Sequence, residues 1–199
     1  MNETIHNFSK LKDYIIDNHN DVYGKINRES MVWFYNNIKH INNIQPSDVL
    51  KNIGQVSSTY ILGKMFMFKY SPETITLPYY DTYPLIFIIE NYTDGFLGLN
   101  LHYLNPKMRL GFFNELTSTR ITNNDVNDET RLTTNYKILS KYKKYKAFRP
   151  CIKRYKLKNI KSKVINIHAR DWVFALFLPT ERFAKLNKNK VWKESSDKI

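Results

Sequence analysis

Residues 84–103 read PLIFIIENYTDGFLGLNLHY. Two runs rich in β-branched, aromatic and other apolar residues, PLIFIIE (84–90) and FLGLNLHY (96–103), flank the connector NYTDG. Asp94-Gly95 is a hairpin signal, because glycine tolerates the positive φ that tight hairpin turns use. Upstream, KMFMFKY (64–70) reads as a third strand, and Pro72, Pro78 and Pro84 keep the intervening SPETITLPYYDTYP extended. Downstream, KVINIH (163–168) and WVFALFL (172–178) read as two more strands, turning near Arg170-Asp171. These segments predict a small curved antiparallel sheet or partial barrel.

Helical patterns surround the extended ones. A helix is expected over Phe8–Ile16, and another from Asn27, with Met31, Phe34, Ile38 and Ile41 on one face, stopping before Pro46. A short third helix runs from Ser47 to Gly54. Asn105-Pro106 opens a further helix striped by Met108, Phe112 and Leu116. The polar TNNDVNDE (122–129) reads as an exposed loop, and 134–148 as a helix with Ile138, Leu139, Tyr142 and Tyr145 on one side, ended by Pro150. Thr180 is expected to cap a short helix through Phe183. The tail is polar apart from Val191 and Trp192 and reads as an arm docking only through those two. The expected fold class is α+β, a single domain with helices flanking the sheet. Its organisation is an N-terminal helical segment (1–56), an α+β core with a basic surface (57–186) and a C-terminal arm (187–199).

Composition limits the function classes. The longest apolar runs, PLIFII (84–89) and FALFLP (174–179), fall far short of the roughly 18 residues that span a bilayer. The N-terminus carries charge of both signs and lacks the layout of a secretory signal, so an intracellular protein is expected. The single Cys151 forms no internal disulfide and reads as a small, partly buried residue beside Pro150.

The net charge of +13 is concentrated in one place. Thr130–Arg170 holds fourteen Lys or Arg and no acid, leaving the rest of the chain at −1. Within it, KYKKYKAFRPCIKRYKLKNIKSK (141–163) interleaves cations with aromatics. Candidate nucleic-acid contacts are Lys137, Lys141, Lys143, Lys144, Lys146, Arg149, Lys153, Arg154, Lys156, Lys158, Lys161 and Lys163. Candidate stacking residues are Tyr142, Tyr145, Phe148 and Tyr155. Lysine in excess of arginine favours backbone contact over reading of bases, hence sequence-independent binding. A solvated basic face, or one docking on acidic protein or an anionic membrane, is the competing reading.

Catalytic patterns are sparse. The five His, at 6, 19, 40, 102 and 168, form no HxxxH, HxH or HxE pair. No Glu-x-Lys, GxxxxGK[ST], GxGxxG or GxSxG occurs. No cofactor, metal or catalytic residue is assigned. Asp81 is the best single carboxylate candidate, with Glu90 as its companion in a metal-dependent nucleic-acid enzyme; the plainer role for Asp81 is to organise a turn between prolines. Tyr79, Tyr80 and Tyr83 read as packing before stacking, and His102 as a half-buried, satisfied histidine.

The blocks LPYYDTYPLIFIIENYTDGFLGLNLHYL (77–104), FRPCIKRY (148–155), WVFALFLPTERF (172–183) and KVWKES (190–195) resemble the DNA end protector, or head-completion, family of T4-like tailed phages. The resemblance covers roughly residues 60–195; earlier residues match only loosely, around Trp33 and Phe34. It implies a non-catalytic protein, in the virion and host cytoplasm, whose partners are the termini of linear double-stranded DNA and phage head or neck proteins. It implies no membrane, and leaves oligomeric state open. A structural head or neck component binding acidic protein surfaces is the alternative.

Overall fold

The computed structural model describes residues 45–47, 50, 55–74, 76–109, 111–112, 146–168 and 172–198, apart from the side chains at 146, 147, 173 and 174. The two N-terminal helices, Leu116, the loop 122–129 and residues 134–145 lie outside these. Residues 46, 47 and 50 are helical, so Pro46, with no amide hydrogen to lose, takes a first-turn position ahead of Ser47.

The 84–103 stretch forms the expected hairpin. β4 (Leu85–Tyr92) pairs antiparallel with β5 (Gly95–Asn100), Tyr92 opposite Gly95 across Thr93-Asp94. A bulge at Ile89 shifts the register, so Glu90 faces Leu97 while Ile88 faces Gly98. β2 (Met65–Met67) lies on the other side of β4, followed by β7 (Ile165–Ile167) and β1 (Gln55–Val56). β6 (Ile152–Lys156) flanks β5. Among the described residues the sheet has six antiparallel strands in the order β1-β7-β2-β4-β5-β6 and does not close. A second, two-stranded sheet joins β3 (Tyr80–Asp81) to β8 (Phe183–Ala184). The described residues thus form a single α+β domain.

Alternation along β2 and β4 divides the core in two. Met65, Met67, Leu85, Phe87 and Leu99 face one side, against Trp172, Ala175, Leu176 and Val191 of two helices, α1 (Trp172–Phe177) and α2 (Lys188–Ser196). Phe66, Phe68, Ile86, Ile88 and Phe96 face the other, closed by Tyr155, Val164 and the half-buried Tyr60, Leu62 and Ile160. Burial on both faces explains why MFMF and LIFII are unbroken apolar runs, although the strands are antiparallel. The second core is rich in edge-to-face rings, with Tyr155 lying 5.4 Å from Phe68 and 4.9 Å from Tyr70 at near-perpendicular angles. Each such pair adds about 0.5–1.5 kcal/mol beyond its buried area.

Several elements differ from the sequence-based expectation. WVFALFL is the helix α1, not a strand. An apolar run buried on several sides carries no period to separate helix from strand; here the Trp172 indole donates to the Ile167 carbonyl at 3.0 Å and fixes the helix just beyond β7. Thr180 caps nothing: residues 180–182 are irregular and Phe183 opens the strand β8, with the Thr180 hydroxyl turned to His102. The last residues of FLGLNLHY leave the sheet as a 3₁₀ turn, Leu101–Tyr103. Residues 188–196 are helical, N-capped by the Asn187 side chain, which accepts from the Lys190 amide at 3.0 Å. Pro150 lies inside a 3₁₀ segment, Lys146–Cys151, and β6 follows directly where no strand was expected.

Gly95 is required for a reason other than φ. Only Gly63 among the described glycines has positive φ. A Cβ on Gly95 would lie 2.0 Å from the Tyr155 carbonyl oxygen, since β5 and β6 approach too closely there for any side chain. Gly111, in a helical turn, has nothing within 4 Å of the same position. Gly95→Ala is therefore expected to cost about 3 kcal/mol or more, because backbone must move, whereas Gly111→Ala raises stability by about 0.5–1 kcal/mol. Urea unfolding of the two variants checks the contrast.

Candidate nucleic-acid interface

Among the described residues β6 is an edge strand, and the basic segment runs along it. Its sequence, IKRYK, alternates so that Tyr155 enters the core while Arg154 and Lys156 stay exposed. Charge on an edge strand also discourages pairing with another chain. Arg149 is exposed on the preceding 3₁₀ segment, and Lys158, Lys161 and Lys163 are exposed on the connection to β7. Lys163 lines a shallow groove with Lys69, Tyr83 and Ser162. Lys146 begins the 3₁₀ segment, while Lys137, Lys141, Tyr142, Lys143, Lys144 and Tyr145 lie outside the described residues.

Three of the sequence candidates sit elsewhere than a groove requires. Tyr155 is 4% exposed, its ring packed among Phe68, Tyr70 and Phe96 and its hydroxyl accepting from Asn100 Nδ2 at 2.9 Å, so it offers no face to a base. Phe148 is half-buried and packs 5.9 Å from Phe112. The Lys153 ammonium lies 4.3 Å from the centre of the Tyr103 ring, and burial lowers its pKa. Placing one apolar neighbour beside each cation in the sequence does not decide which of them the sheet turns inward.

Acids remote in sequence meet part of the charge. Arg154 pairs with Asp94 at the β4–β5 turn, and its guanidinium lies 3.6 Å from the centre of the exposed Tyr92 ring. Lys158 pairs with Glu73 at 2.7 Å, a hydrogen bond that lowers the Glu73 pKa and raises that of Lys158. Lys156 and Lys161 act on Glu73 from further away. Both pairs are exposed and contribute little to stability.

The motif-like blocks LPYYD, NLHY and PTER meet in a buried polar junction. Asp81 Oδ2 lies 2.7 Å from His102 Nδ1 and accepts from Asn100 Nδ2 at 3.0 Å, while Asp81 Oδ1 accepts from the Tyr83 amide at 3.0 Å. His102 Nε2 is 3.1 Å from Thr180 Oγ1. A carboxylate only accepts, so Nδ1 carries a proton and donates it to Asp81. This carboxylate, imidazole and hydroxyl have the connectivity of a hydrolytic triad, yet Asp81, His102 and Thr180 are 2%, 0% and 1% exposed. His102 is fully rather than half buried, and Asp81 organises its turn from inside the protein. Glu90 faces Leu97, whereas the junction meets β5 at Asn100, three residues further on, so the two carboxylates proposed for an enzyme do not share a site. Among the described residues, no three His, Cys, Asp or Glu side chains cluster to hold a metal.

Arg109 and Glu181, singled out by no pattern reading, complete the junction. Arg109, 1% exposed, donates through Nε to the carbonyls of Leu101 (3.0 Å) and Leu104 (2.8 Å). Its two terminal nitrogens reach the Leu176 carbonyl (3.1 Å), Glu181 Oε2 (3.5 Å) and the His102 carbonyl (3.3 Å). The His102 carbonyl also accepts from the Trp192 indole at 2.9 Å, and Lys188 reaches Glu181 at 3.1 Å, which latches α2 onto the core. Arg109 stands three residues before the buried Phe112, on the same helical face, and that spacing was the one signal for it. Around the junction, Tyr79 packs on Tyr103 and Phe183, its phenol pushed up to about 12 by burial and by Glu194. Cys151 is wholly buried rather than partly so, its thiol pushed up to about 12 by desolvation and therefore unreactive.

Burial opposes ionisation of Glu181, but Arg109, His102 and Lys188 outweigh it and hold the carboxyl at about 2, below the ordinary 4.5. A depressed folded-state pKa contributes stability that is complete above about 4.5 and is lost as pH falls toward 2. Glu181→Gln is expected to cost about 3–5 kcal/mol at pH 7, by leaving a buried guanidinium without its carboxylate. The gap between wild type and variant should narrow below pH 4.5, as read by chemical unfolding at a series of pH values.

No curated protein and no solved structure matches the chain. No described helix is long and apolar enough to cross a membrane. The blocks that meet in the buried junction, the β4–β5 hairpin and the basic strand β6 all fall within a single family match. Residues 3–195 fit the model described as Phage T4 terminal DNA protecting protein, and with nearly the whole length covered, the chain belongs to that family.

Proposed function

We propose that this protein binds the ends of linear double-stranded DNA and shields them from host exonuclease, without catalysing a reaction and without a cofactor. It would act in the host cytoplasm and in the virion, in connection with head completion and alongside head or neck proteins. The observation that carries this reading is the exposed basic edge of β6 and its flanks, in a chain of a DNA-protecting family. The contacts proposed among the described residues are Arg149, Arg154, Lys156, Lys158, Lys161 and Lys163, continued by Lys137 to Lys146. Lys153 and Tyr155 are set aside because they face inward.

The physical argument is one of mass and charge. Phosphates neutralised by lysine release condensed counterions, which supplies affinity without regard to sequence. A folded body held at a terminus then occupies the place an exonuclease needs. Glu73 and Asp94 temper the basic surface when no DNA is present, and exchange of Lys158 from carboxylate to phosphate costs little, because its pair with Glu73 is exposed.

The test compares one duplex, linear and closed into a circle, across about 50 to 300 mM salt, with exonuclease protection measured alongside. Several phosphate contacts are expected to give a log-log salt slope near −4 or steeper, at roughly −0.9 per contact. The combined change Lys156→Gln, Lys161→Gln and Lys163→Gln should flatten that slope by about 2 to 3 and weaken both DNA forms alike. Absence of binding to either form would move the reading to a head or neck component that docks on acidic protein.

A further inference from the structure

We infer that Tyr92, at the tip of the β4–β5 hairpin, is the residue that distinguishes a DNA end from internal duplex, by stacking on the terminal base pair. This rests on the end-binding reading above and assigns its selectivity to one surface.

Base pairs inside a duplex have both faces covered by their neighbours. A terminus alone presents a bare aromatic face, so an end-selective surface needs an exposed apolar ring among cations. Tyr155 and Phe148 do not supply it, the first being buried and the second half-buried against Phe112. Tyr92 does, keeping 42% of its surface exposed at the end of β4, next to the Thr93-Asp94 turn. Leu157, also exposed, shares this corner, its amide donating to the Asp94 carbonyl at 2.9 Å.

Two further features suit the corner to this task. The Arg154 guanidinium covers one face of the Tyr92 ring at 3.6 Å and is itself held by the Asp94 carboxylate, so the ring is oriented before any ligand arrives. Preorganisation of this kind lowers the ordering cost of binding. The corner is also positive, with Arg154, Lys156, Lys158 and Lys161 set against Asp94 and Glu73. A base pair resting on Tyr92 and Leu157 brings the last phosphates of both strands toward those lysines, and Arg154, tyrosine and base form a continuous stack.

The experiment uses the full chain with a linear duplex carrying 2-aminopurine at the terminal pair, the same duplex labelled internally, and its circular form. Wild-type protein is expected to quench the terminal probe and not the internal one. Tyr92→Ala should abolish that quenching and reduce the preference for linear over circular DNA by about tenfold, with affinity for the circle within about twofold of wild type. Tyr92→Phe should retain both. End preference in wild type that persists undiminished in Tyr92→Ala overturns the inference while leaving end protection intact. Equal wild-type affinity for linear and circular DNA overturns the end-binding reading and the inference with it. Should Tyr92→Ala fold poorly, an unchanged terminal probe in bound wild-type protein overturns the inference without any variant.

Discussion

The buried contact between Arg109, Glu181 and the His102 carbonyl is the constraint on which the rest of the fold depends. A guanidinium removed from water is tolerable only where its donors are met, and Arg109 meets them with groups from separate parts of the chain: the 3₁₀ turn after β5, the end of α1 and the segment leading into β8. Moving any one of these elements would leave a buried charge unmatched. Beside it, Asp81, Asn100, His102 and Thr180 tie β3 to the same turn. Hydrophobic burial supplies most of the stability, but it is not directional. These polar bonds select one arrangement of helices over the sheet.

Sealing the polar junction has a functional corollary. Carboxylate, imidazole and hydroxyl stand in an order associated with catalysis, and all three are closed to solvent. The groups that remain available to a partner are of another kind. Among the described residues they are lysines and arginines on and beside the outer strand β6, with Tyr92 exposed next to the hairpin turn.

The antiparallel sheet was legible in residues 64–103, because apolar and β-branched runs broken by Asp94-Gly95 leave few other folds open, and the observed β2, β4 and β5 fall within those runs. Gly95 was placed correctly in the hairpin for the wrong reason: positive φ is a local property, whereas its need here comes from the backbone of β6, some sixty residues away. WVFALFL defeated pattern reading since a segment buried on several sides has no polar face to reveal its period. Thr180 looked like a cap because capping is a local use of a hydroxyl, and His102 claims it from 78 residues away.

By itself, the sequence determined the class of the fold, the concentration of positive charge in 130–170, and a pattern of blocks specific enough to point to a family. All three are carried by residue type and by spacing over short distances. Tertiary structure alone decided which cations face water and which lie over a ring, which aromatics are core and which is left at an exposed corner, and that the most enzyme-like residues are closed to solvent. Those outcomes depend on strand register and on contacts between residues far apart in the chain, where one step along a strand exchanges the inside for the outside.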